Sequence, residues 1–106
     1  MMFSQSITVE HNGKTQHATV ALSQYEQRMR VLELTVQLLI ARTSMGDFWI
    51  EGLREVGKLL QTLPLPTAEF EAAVRHLENA IGYCQEKEFG AATFELRALR
   101  GHLQRN

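Results

Sequence analysis

Four segments of the chain repeat apolar residues at helical spacing and are separated by residues that end helices. Ser23 and Glu26 form a capping box, in which each side chain satisfies a free backbone N–H, so a helix is predicted to begin at Gln24. Gly46 can adopt the left-handed conformation that ends this helix. The predicted helices cover about residues 24–45, 48–62, 68–87 and 89–103, with Asp47 and Thr67 as the N-caps of the second and third.

One apolar stripe along each of the last three helices predicts a shared core. On helix three, for example, Phe70, Val74, Leu77, Ile81 and Cys84 recur at spacings of four, three, four and three residues, which places them on one face. Short connections favour antiparallel neighbours in such a bundle. The residues predicted to be largely buried are Leu32, Val36, Leu53, Val56, Phe70, Val74, Leu77, Ile81, Leu96 and Leu99.

The first helix is apolar on two sides. One face carries Tyr25, Met29, Leu32, Val36, Leu39 and Ile40, and the nearly opposite face carries Val31, Leu34, Leu38, Ala41 and Met45. Such a helix is either central and enclosed, or it offers its second face to a partner. Helix four also has a second side, of small residues around Phe94. The candidate protein-interface residues are Val31, Leu34, Leu38, Met45, Ala91, Phe94 and Ala98.

The segment before the first helix predicts a β-hairpin. Asn12 and Gly13 tolerate the positive φ values of a two-residue turn, and apolar and polar residues alternate on both sides of them. In this register Ile7, Val9, Ala18 and Val20 share one face. The expected fold class is therefore α+β and predominantly helical, a single domain over residues 1–106 with a hairpin at 6–22 and a helical bundle at 23–104.

Composition and charge limit the classes of partner that the chain is expected to bind. The 106 residues are 44% hydrophobic and 22% charged, as in an ordinary globular protein, and the net charge is -1. Without an overall field, binding to nucleic acid or to a membrane surface is not expected. The alternative function left open is a nucleic-acid-associated regulator that uses Arg97, Arg100 and Arg105 of the C-terminal helix.

Cysteine usage and the apolar runs predict a soluble protein of the cytoplasm. Cys84 is the one cysteine, so no internal disulfide is expected and a reducing compartment fits the sequence. The first residues lack the basic and apolar regions of a secretory signal. The longest apolar stretch, residues 31–41, is interrupted by polar residues and is far shorter than the ~20 residues that span a bilayer.

A search for catalytic and ligand-binding motifs finds no phosphate-binding loop, zinc-ligand pattern or nucleophile elbow. His76 and Cys84 are separated by ~12 Å along a helix, too far to ligate one ion together. We therefore expect no catalytic residues, cofactor or metal, and no enzyme. The predicted function is a protein-interaction or assembly module, such as an adaptor, chaperone-like protein or regulatory subunit, and a homodimer. A small enzyme or ligand-binding domain is the third alternative.

Overall fold

A computed structural model describes the backbone of residues 13–104 and the side chains of residues 24–104. Within this range the chain forms four helices: α1 (Gly13–Ser44), α2 (Ile50–Gln61), α3 (Thr67–Gln85) and α4 (Phe89–Gln104). Each helix packs against the next along the chain, and α4 also packs against α1. These contacts close a four-helix bundle, in which α3 and α4 form the most extensive pair.

The predicted α+β class is wrong, because the segment expected to form the second strand of the hairpin is helical. Residues 13–22 belong to α1, and the described residues contain no strand. The prediction that a capping box at Ser23 starts this helix at Gln24 is therefore also wrong, because Ser23 lies inside α1. The first strand and Asn12 lie outside the described residues. No helix breaker occurs between Gly13 and Ser44, and extending an existing helix adds one hydrogen bond for each residue fixed. An isolated hairpin is marginal in water, so a continuous helix is the more stable local structure.

The connection from α1 to α2 is a tight turn centred on glycine. Gly46 has a φ of 82°, in the left-handed region, and its N–H donates to the carbonyl of Thr43 at 2.9 Å. The prediction that Asp47 caps α2 is wrong, since α2 begins at Ile50 after Trp49, without a side-chain cap. The Asp47 carboxylate instead accepts a hydrogen bond from Arg42 Nε at 2.7 Å.

The other two connections follow from local sequence. The prolines at 64 and 66 separate α2 from α3, and Pro66 occupies the N-cap position, with its carbonyl accepting from the Phe70 N–H at 2.9 Å. The prediction that Thr67 caps α3 is therefore wrong, since Thr67 is the first residue of the helix. Between α3 and α4, Lys87 takes a φ of 61° and the Glu88 N–H donates to the Tyr83 carbonyl at 2.8 Å. Both turns are short, so the helices they join lie side by side.

The core consists of one face from each helix. Seven of the ten predicted core residues are buried, and the other three, Phe70, Val74 and Ile81, are partly buried and pack against the core. On α3 the fully enclosed positions are small, with Ala73 and Ala80 at 0% exposure. Small side chains let α3 approach its neighbours closely, which leaves the larger flanking residues at the edge of the interface. Buried members of the core cluster are Leu32, Val36, Leu39, Ile40, Leu53, Val56, Leu60, Leu63, Ala73, Leu77, Ala80, Cys84, Ala92, Leu96, Leu99 and Leu103.

Within residues 13–104, no helix combines the length and the apolarity that crossing a membrane requires.

Candidate protein-interaction surface

The most extensive group of exposed apolar side chains lies along α1. We call it the outer stripe of α1 and define it as Val31, Leu34, Leu38, Ala41 and Met45. Val31, Leu34 and Leu38 are 51%, 57% and 48% exposed, and Met45 is 83% exposed. Ala41 is also exposed. Contiguous exposed apolar side chains mark candidate interaction surfaces.

The outer stripe lies opposite the face of α1 that enters the core. Leu32, Val36 and Leu39 are completely buried, and at about 100° of rotation per residue their side points away from Leu34 and Leu38. The neighbouring helices α2 and α4 pack on the inner side. Within the residues whose side chains are described, α1 is therefore not an enclosed central helix, and its second apolar face is exposed.

The stripe residues follow one another at spacings of three, four, three and four. This is the repeat with which helices pack along a shared seam, because it keeps successive side chains on one line of the surface. The line from Val31 to Met45 is about 21 Å long. The positions beside the middle of the stripe, Thr35 and Gln37, are uncharged, so this middle part resembles the charge-depleted centre of a protein interface.

Charged groups stand at the two ends of the stripe. Arg28 and Arg30 are exposed at its N-terminal end. At the other end, Arg42 is tied to Asp47 at 2.7 Å and its guanidinium lies 4.2 Å above the ring of Trp49. Arg42 is thus held against the α1–α2 turn.

The second predicted surface, on α4, is less continuous. Phe94 is 69% exposed, but Ala91 and Ala98 are half-buried. Because α3 packs closely along α4, the small residues serve in part as contact positions between these two helices. Phe94 is therefore an exposed aromatic side chain beside a partly covered face, whereas the outer stripe of α1 is exposed along its whole length.

Sequence reasoning missed a polar network between α3 and α4. His76 Nδ1 lies 2.7 Å from Glu95 Oε1, and Asn79 Nδ2 donates to the same oxygen at 3.4 Å. The ring of His76 stacks on His102 with centroids 5.2 Å apart, and His102 Nδ1 lies 3.8 Å from Glu69 Oε2. The sequence signal for this network is a Glu and a His seven residues apart on each helix, which places both on one face. The pairs are Glu69 and His76 on α3 and Glu95 and His102 on α4.

Neither this network nor the cysteine forms a metal site. In the part of the chain that is described, no three His, Cys, Asp or Glu side chains are grouped to hold an ion. Cys84 is 2% exposed, and burial raises the pKa of its thiol. The prediction that Cys84 is a buried, hydrophobic member of the core is confirmed.

Two of the three C-terminal arginines lie within the described part of α4. Arg97 is exposed, and Arg100, three positions further along the helix, is half-buried. Arg105 lies outside the described residues.

No protein-family model, no curated protein and no solved structure matches this chain. Proposals for its function therefore rest on its own exposed side chains, among which the outer stripe of α1 is the most continuous apolar group.

Proposed function

We propose that this chain is a non-catalytic protein-interaction module that binds its partner through the outer stripe of α1. The observation that supports the proposal is the stripe itself, in which four large apolar side chains are each about half exposed or more. A module of this kind serves as an adaptor, a chaperone-like protein or a regulatory subunit. The burial of apolar surface drives the binding.

Burying the stripe against a partner is favourable, and it leaves few polar groups without a hydrogen bond. Completing the burial of a half-exposed leucine contributes about 1 kcal/mol. The hydroxyl of Thr35 already donates to the Val31 carbonyl at 2.7 Å, and that of Ser44 to the Ala41 carbonyl at 2.8 Å. Because these hydroxyl donors bond within their own helix, a partner can exclude water from them without leaving the donors unsatisfied.

The bundle also holds the stripe in a fixed geometry. The inner face of α1 is anchored by completely buried side chains such as Leu32 and Val36. A helix that is already formed and docked loses little conformational entropy when a partner binds. The stripe is therefore a preorganised surface.

Site-specific photo-crosslinking in the native cells tests this function. A photoreactive benzoylphenylalanine replaces Leu34, in the middle of the stripe, and the control places the same group at Glu71, an exposed position on α3. We expect a discrete protein adduct from position 34 and none from position 71. Adding Leu38→Glu should remove the adduct, because a buried unpaired carboxylate opposes association.

Equal labelling from positions 34 and 71, or an adduct at position 34 that survives Leu38→Glu, would contradict the proposal. Circular dichroism of each variant confirms that the helices remain, which is expected because all three positions are exposed.

A further inference from the structure

We draw no further inference here: the strongest candidate, the exposed apolar surface patch formed by the outer stripe of α1, belongs to the site already described, and nothing in the structure shows what covers it.

Discussion

The imidazole of His76 on α3 and the carboxylate of Glu95 on α4 meet at an Nδ1···Oε1 distance of 2.7 Å. Their side chains are only 22% and 14% exposed, so water replaces this contact poorly when one partner is removed. The pair joins the two helices that share the most extensive contact in the bundle. It therefore contributes to the stability of the α3–α4 pair.

Removing the Glu95 carboxylate should destabilise the protein. We expect Glu95→Ala to lower the free energy of unfolding by about 1–2 kcal/mol, because His76 and Asn79 lose their shared acceptor. Urea denaturation of both single variants and the His76→Ala/Glu95→Ala double variant measures the coupling, expected at about 0.5–1.5 kcal/mol. A coupling of zero would show that the contact contributes nothing to folding. Glu71→Ala, on the exposed side of α3, is the control.

Two buried threonines differ in their hydrogen bonding. Thr43 is completely buried, and its hydroxyl has no hydrogen-bond partner among the described residues. Thr93 is 5% exposed, and its hydroxyl donates to the Phe89 carbonyl at 2.7 Å. We expect Thr43→Val to raise the free energy of unfolding by about 1 kcal/mol, because a methyl group replaces an unsatisfied hydroxyl. Thr93→Val should give no such gain. Thermal melts of both variants measure the difference, and a larger gain from Thr93→Val than from Thr43→Val would contradict this interpretation.

The two glycines of α2 should respond in opposite directions to substitution by alanine. A Cβ at Gly57 would lie 3.4 Å from Leu77 Cδ2, near ordinary contact, whereas a Cβ at Gly52 would lie 2.6 Å from Trp49 Cδ2. Glycine inside a helix costs about 1 kcal/mol relative to alanine. We therefore expect Gly57→Ala to raise the melting temperature and Gly52→Ala to lower it, because the indole ring must move. Calorimetry measures the melting temperatures of both variants, and equal shifts from the unsubstituted chain would contradict this difference in packing.

Truncation of a core leucine gives a change in unfolding free energy with which the preceding effects can be compared. Leu77 on α3 is 6% exposed, and Leu77→Ala should lower the free energy of unfolding by ~2–5 kcal/mol through lost burial and a cavity. Glu78→Ala, the next residue on the exposed side of the helix, is the control. A cost below about 0.5 kcal/mol for Leu77→Ala would place this residue outside the stabilising core.

The breaks between helices were predictable where a glycine or a proline interrupts the chain, because these residues act through local backbone chemistry. Gly46 takes the left-handed conformation that was expected at the end of α1, and the prolines at 64 and 66 separate α2 from α3. Each of these effects acts within about one turn of backbone, so the neighbouring residues are enough to predict it. The caps were less predictable, since Asp47 bonds to Arg42 instead of to the start of α2.

The N-terminal segment shows where local signals are insufficient. An alternating pattern with Asn-Gly is compatible with a hairpin, but residues 13–22 are also compatible with a helix, and they continue α1. A strand needs neighbouring strands to satisfy its backbone, whereas a helix satisfies its own. The preceding residues lie outside those described. The polar network of His76 and Glu95 was missed for a related reason, because partners nineteen positions apart meet only after α3 and α4 pack.

Residue spacing is enough to predict that the helical segments are amphipathic and that α1 carries two apolar faces, because it fixes the angle of each side chain around its own helix axis. Which of the two faces of α1 is buried depends on the packing of the other helices. With α2 and α4 packed on one side of α1, Leu32 and Val36 become completely buried, while Leu34 and Leu38 remain exposed at 57% and 48%. Periodicity describes one helix at a time. The choice between its faces depends on the positions of other helices, which are set by the packing of the whole bundle.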